Sequence, residues 1–436
     1  MEAKQALAVG LLVCLAGAVL AFGATEPFSL AAVELLAFLL SGFVLWMRAP
    51  GKPGVKLPWK GPTLLLSYVG AQTALVQPGG HLAYEQILQL LACFSVFYVA
   101  VVVSGSESSR RRLLLGLLGL GLFEALYGLV QYVSGWQQIF TYKKIFYTTM
   151  ATGTYINPNH FAGLLEMVLP LSFAWTLYRF EHADRNVGNA QSAAHHFLKG
   201  DGIATLVFFS FSTLLIFGGI LFSRSRAGIF SASVAAIVVG VLWISSSWRR
   251  LAAGLVVLCL LAGAGIFGLW IGLKPVAERF EHIETDYPSR LGAWKDSLAL
   301  IRARPFWGSG LGSFEDEYTR VQSISLTGVV DHAHNDYLEF AAELGIPCVV
   351  LLVGAALWLL ARTTAACFRL SQSSQRLFAL GTGGSILALL LHSVADFNLH
   401  IPANALVLTT VLGMAYSVSS NTAAKSGGER SPSKTG

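Results

Sequence analysis

The chain is poor in charge: Asp, Glu, Lys and Arg make up 12% of its 436 residues. A soluble domain carries about 25%, so a water-facing surface cannot be built from this composition. Cysteine is sparse too, and Cys14, Cys93, Cys259, Cys348 and Cys367 all lie in or beside apolar stretches. That placement excludes a disulfide frame or a cysteine metal cluster and leaves small core hydrophobes. There is no internal repeat, and no strand precedes Gly308, Gly310 and Gly312 to make them a dinucleotide loop. The formal charge of +6 would suit nucleic acid, but most Lys and Arg sit in short connectors between apolar runs.

What is abundant is apolar sequence, at 54%. It falls into stretches near the roughly 20 residues that cross a bilayer as a helix, the structure in which each segment satisfies its own backbone. The expected fold is all-α and integral to the membrane, with about 12 transmembrane helices. They are placed at 6–24, 30–47, 62–77, 87–103, 113–133, 161–178, 203–221, 227–245, 251–272, 337–360, 377–395 and 401–418. The first run is long for a signal peptide and reads as an uncleaved helix. The third is short and begins with Pro62.

Lys and Arg concentrate in alternate connectors: Arg48 to Lys60, Arg110 to Arg112, Arg179 to Lys199, Arg249 and Arg250, and Arg362 to Arg376. The positive-inside rule then makes both termini cytoplasmic and puts the long loop 273–336 outside. The Ser/Gly/Lys-rich tail, 421–436, is expected to be disordered.

Three features converge on the outer side. Ser223-Arg224-Ser225-Arg226 puts two arginines in a tight hairpin, which suits headgroup anchoring or a clamp on a phosphate-bearing substrate. In the long loop, Leu291, Trp294, Leu298 and Ile301 recur at helical spacing and Pro305 stops the run, so an amphipathic helix is expected there. The three glycines after it serve as turns. Finally, Asp331-His332-Ala333-His334-Asn335-Asp336 runs into the tenth span. Two histidines beside carboxylates suit a metal, a general base or a hydrogen-bonded helix entrance, and the base fits best. Asp336, Glu339 and Glu343 share one face of that helix. Glu343 would lie inside the membrane, where a carboxylate is costly unless paired or lining a cavity. Glu34, Glu124, Glu166, His392 and Asp396 raise the same question, and some are expected to pair within the bundle. Asn157-Pro158 reads as a helix cap with proline in the first turn.

These motifs resemble the O-antigen ligase and polymerase superfamily of bacterial inner-membrane glycosyltransferases. The resemblance covers roughly 150–415, with 1–150 as additional membrane helices and 151–420 as the ligase-like domain. It rests on His334-Asn335, nine residues, then Gly345 at the start of a membrane helix; on Thr152-Gly153-Thr154 with Asn157 to Ala162; on the Ser-Arg-Ser-Arg hairpin; and on Arg290 with Trp294. Cys348 stands where the pattern usually has a second glycine. The stretch His392 to Asn404 also looks like a branch of the superfamily, without an assigned role.

The resemblance implies a fold similar to C-type glycosyltransferases with a large periplasmic loop. It implies transfer of a glycan from a polyprenyl (undecaprenyl) diphosphate carrier to an acceptor hydroxyl at the periplasmic face, as a ligase or a polymerase. The acceptor would be a glycan, lipid A–core or protein, and the product lipopolysaccharide or exopolysaccharide. His334 would be the catalytic base, Arg224, Arg226 and Arg290 the diphosphate-binding residues, and Asn335, Asp336, Glu339 and Glu343 their support. No metal or cofactor is expected, and inversion is. An inorganic-carbon transporter, which would favour midplane groups, and a non-catalytic scaffold are the rival readings.

Overall fold

The computed structural model describes residues 2–47, 57–76, 81–183, 202–245, 283–323 and 330–428. Among the described residues the regular structure is helical apart from one two-stranded hairpin, β1 (Gln138–Ile139) with β2 (Tyr142–Lys143). Its helices are α1 (Glu2–Leu20), α2 (Pro27–Met47), α3 (Lys60–Val76), α4 (His81–Ser104), α5 (Glu107–Ser134), α6 (Pro158–Ala183), α7 (Ile203–Ser223) and α8 (Arg226–Ile244). There follow α9 (Ile283–Ala303), α10 (Phe314–Tyr318), α11 (Asp336–Leu344), α12 (Ile346–Arg369), α13 (Ser373–His392) and α14 (Pro402–Gly428).

Among the described residues, ten helices are long and apolar enough to cross a membrane. They answer ten of the twelve expected spans. The third span forms helix α3 but has only 17 residues, and 251–272 lies outside the described residues. The expected disordered tail continues α14 as far as Gly428, since Ala423, Ala424 and Lys425 are good helix formers; residues 429–436 lie outside the description.

The bundle is organised around α6, nearly all of whose membrane window is buried. It packs against α5, α7, α8, α13 and α14. Gly381 and Gly384 of α13 face Leu171 and Pro170 of α6, where an added Cβ would meet neighbouring atoms. Small residues let two helices approach closely in lipid, where dispersion has to supply the attraction. Trp243 Nε1 donates to Glu181 Oε1 at 2.8 Å, tying α8 to the far end of α6.

The tenth span differs from the expectation of one helix over 337–360. It breaks at Gly345, whose φ of +79° favours glycine. The short α11 precedes the break and the membrane helix α12 follows it. The loop after α9 is the reason: Ser309 N donates to Ala342 O and Gly310 N to Glu343 O, both at 2.9 Å, while Ile346 N donates to Pro305 O at 2.9 Å. A side chain on Gly308 or Gly345 would collide with the opposing backbone. Helix α3 braces this junction through Tyr68, which donates to the carbonyls of Phe306 and Leu344 and stacks on Trp307 at 5.2 Å. Glu343 is therefore at the end of a short helix against the loop, three residues before the membrane helix starts at Ile346, rather than within that helix.

Candidate functional site

Asn157 caps α6 as expected, its Oδ1 accepting from Asn159 N at 2.9 Å. The next residue, His160, points into the space where the 331–335 segment and the 393–400 turn meet. Asn335 caps α11 by accepting from Tyr337 N at 3.0 Å and Leu338 N at 3.1 Å. Ala333, two residues earlier, is held on both sides: its N–H donates to Glu339 Oε2 at 2.8 Å, and its carbonyl accepts from Trp294 Nε1 at 3.1 Å. His334 is thus fixed between two clamped neighbours, and its φ is +50°. A non-glycine residue in this region costs of order 1–3 kcal/mol and persists only where its surroundings over-determine it.

The clamp aims the His334 ring at a buried carboxylate. His334 Nδ1 lies 3.7 Å from Asp396 Oδ1, with the histidine side chain 34% exposed and the aspartate 1% exposed. Asp396 Oδ1 is also 3.9 Å from His160 Nε2, and Asp396 Oδ2 is 4.0 Å from Arg290 Nη2. Arg290 is anchored by donating from Nη1 to Ala395 O at 2.8 Å. Burial raises the Asp396 carboxyl, but the imidazoles of His334, His160 and His392 more than offset this and hold it below the usual carboxylate range. Phe397 lies edge-on to His334 and His160, at 5.0 Å and 4.7 Å, and stacked on His332 at 4.0 Å.

Behind this face runs a second chain of partners. Asp336 Oδ1 is 3.0 Å from His400 Nδ1, His400 Nε2 is 3.2 Å from Glu339 Oε1, and the same oxygen is 2.6 Å from His332 Nδ1. Burial lowers His400, but the charge of Glu339 and the bond to Asp336 raise it to about 9. Burial raises Glu339, yet His400 and His332 bring it below its ordinary value. Glu343 is pushed up to about 7 by burial and accepts from Phe314 N at 3.0 Å. By residue type, His332, Glu339 and His400 form a metal-ligating group, with donor atoms within 4.8 Å of one another. His332 pairs with Glu339, whereas the sequence suggested His332 with His334.

The serines hold the arginine hairpin in place. Ser223 and Ser225 are buried, and Ser225 caps α8 by accepting from Gly228 N. Arg224 takes a left-handed φ of +56°, and its guanidinium lies over Tyr132 at 5.8 Å. Arg226 opens α8. This hairpin meets α6 where Gly228 abuts Ala162, half a turn past His160. Arg290 thus joins His334 through Asp396, whereas the hairpin that carries Arg224 and Arg226 meets α6 at Ala162.

An apolar cavity of about 240 Å³ opens beside the cluster, between α3, α4, α11, α12 and α14. Leu65, Cys93, Leu352 and Leu412 are among its lining residues, and Tyr337 and His400 also line it.

Residues 211–353, from α7 into α12, match the O-antigen ligase family model. The match supports membership of the O-antigen ligase and polymerase superfamily. Membership supports a glycan-transfer role of the ligase or polymerase type. No curated protein matches the chain. The matched segment contains Arg224, Arg226, Arg290 and His334, but His160, Asp396 and His400 lie outside it.

Sequence reading gave Asp396 no role and did not single out His160 or His400 as site residues. They were missed because they reach the site from α6 and from the turn before α14, far away along the chain. The one available signal was a dense polar run, His392 to Asn404, between two apolar spans.

Proposed function

We propose that this superfamily member transfers a glycan from a polyprenyl diphosphate carrier to an acceptor hydroxyl at the extracytoplasmic face of the inner membrane. The observation that carries the proposal is the convergence of His334 and Arg290 on buried Asp396, at 3.7 Å and 4.0 Å. With Nδ1 turned to the carboxylate, the other ring nitrogen is available to an acceptor. As the acceptor oxygen bonds to the anomeric carbon, the bond to the diphosphate breaks and the hydroxyl proton passes to His334. The leaving diphosphate gains charge in that step, which fixed cations stabilise directly. Arg290 is the first such cation, and in this reading Arg224 and Arg226 complete the clamp. One displacement inverts the anomeric centre. The apolar cavity lined in part by Tyr337 and His400 accommodates part of a hydrocarbon tail, in keeping with a lipid carrier.

The test is turnover and carrier-lipid binding for a small variant set in detergent. His334→Ala is expected to lose about 10²–10⁴-fold in turnover, the usual worth of general-base catalysis, with binding nearly intact. Arg290→Ala is expected to weaken both, and Arg290→Lys to recover only part, because it keeps the charge and loses the bidentate fork. Asp396→Asn, which alters the positioning of His334, is expected to lower kcat while leaving KM close to wild type. Full activity in His334→Ala at normal expression would overturn the assignment.

A further inference from the structure

The opposite end of α6 and α13 holds a polar cavity that glycan transfer does not use. From His160 to Trp175 the helix rises by roughly 22 Å, so the two sites are separated by most of a membrane. The cavity holds about 260 Å³ and lies between α5, α6 and α13, with Arg110, Arg111, Trp175, Arg179 and Ser374 in its walls.

Its polar groups are mostly donors. The Trp175 indole N–H and the Ser374 hydroxyl are buried and have no hydrogen-bond partner among the described residues. Arg110 is 5% exposed, yet its guanidinium lies over Phe378 at 5.2 Å, and that of Arg111 lies over Trp175 at 5.8 Å. Neither arginine forms an ion pair among the described residues. Among the described residues Glu107 is the one carboxylate in the lining. Glu181 near by is engaged by Arg376 at 2.9 Å, by Trp243 and by Ser373. The N-termini of α5 and α13 add partial positive charge, against which stand the C-terminal end of α6 and Glu107.

A buried guanidinium keeps its charge, and orphaned donors are costly in low dielectric. One ligand type answers every one of these groups: a compact anion with several acceptor oxygens. We propose that this cavity binds a phosphate group, carried by an anionic phospholipid headgroup or by a soluble phosphate. The lysine and arginine distribution along the chain puts this end at the cytoplasmic leaflet, where basic clefts between membrane helices take acidic headgroups.

The test uses the full-length protein, stripped of lipid in detergent. Native mass spectrometry compares retention of phosphatidylglycerol with that of a diacylglycerol of the same chains, and thermal unfolding is followed with and without inorganic phosphate. Preferential retention of phosphatidylglycerol, weakened about tenfold or more in Arg111→Gln and further in Arg111→Gln/Ser374→Ala, assigns a lipid headgroup. A rise in unfolding temperature with phosphate, lost in the same variants and without lipid preference, assigns a soluble phosphate. Arg111 is exposed, so its replacement leaves the bundle core untouched. Equal retention of both lipids together with no phosphate effect overturns the proposal, and so does wild-type binding of either probe in both variants.

Discussion

The two ends of α6 and α13 treat charge in opposite ways. At one end, the acids Asp336, Glu339 and Asp396 face the imidazoles of His400, His332, His160 and His334 within 4 Å. At the other, arginines lie over the rings of Phe378 and Trp175, and two buried donors without partners belong to residues that line a cavity. The first end sets carboxylates against imidazoles, groups that can pass a proton, which suits proton transfer during a reaction. The second carries fixed charge that protonation cannot remove, and its balance has to come from outside the protein. On the two proposals made above, one polar end reacts and the other holds.

The contrast breaks most completely if the two ends face the same side of the membrane. Cysteine introduced at Ser323, exposed after α10, is expected to react with an impermeant reagent in cells with a permeable outer envelope. Cysteine at Ser371, exposed before α13, is expected to react only after lysis. Cys14, Cys93, Cys348 and Cys367 are buried, so replacing Cys259 gives a quiet background. Ser313 and Ser373 are poor sites, since one is buried against Ser309 and the other is bonded to Glu181. The reverse labelling pattern would remove the extracytoplasmic reading and the transfer site together.

Much of this was legible before the fold was known, and what was not has a physical reason. His334 and Asn335 stood out because the proposed base and the helix cap beside it are adjacent in sequence. The long-loop helix was readable from Leu291 to Ile301, and the glycines after it do take positive φ. The break at Gly345 was hidden, because the apolar pattern runs unbroken from α11 into α12 and only docking of the 305–310 backbone cuts it. Asp396 and His400 were hidden because partners in a buried network need not be near in sequence. The pairing of Glu166 with His392, at 2.9 Å, was expected in kind, as acids paired within the bundle, though not in its partner.

A moderate effect sharpens the contrast through pH. His400 is raised to about 9, so its contribution to stability is fully present below its ordinary value near 6.5 and is lost as pH rises through 9. Asp336, Glu339, Glu343 and His332 all face it. Glu343, raised to about 7, acts in the same direction at lower pH, whereas the depressed Glu339 contributes above its ordinary value and is lost in acid. The unfolding temperature of the wild type is therefore expected to fall by a few degrees from pH 6.5 to 9.5. His400→Gln should start lower and lose the part of that fall above pH 7. An unchanged slope in the variant would mean that His400 does not hold the proton.

The smallest effect is expected where the residues most resemble a metal site. His332, Glu339 and His400 offer the ligand types that zinc takes. Their spacing argues for a hydrogen-bonded chain instead. Zinc ligands at about 2.0–2.1 Å in a tetrahedron stand roughly 3.3 Å from one another, whereas His332 Nδ1 and Glu339 Oε1 are 2.6 Å apart, a hydrogen-bond length. The other oxygen of Glu339 is taken up by Ala333 N at 2.8 Å. His332 is bound to this chain and stacked on Phe397, while His334 is turned to Asp396. His332→Ala is therefore expected to retain most transfer activity, and strong chelation to leave the wild-type rate nearly unchanged. Complete loss on chelation, restored by one added divalent ion and accompanied by inactivity of His332→Ala, would make this cluster a metal centre and remove the arginine-only account of diphosphate departure.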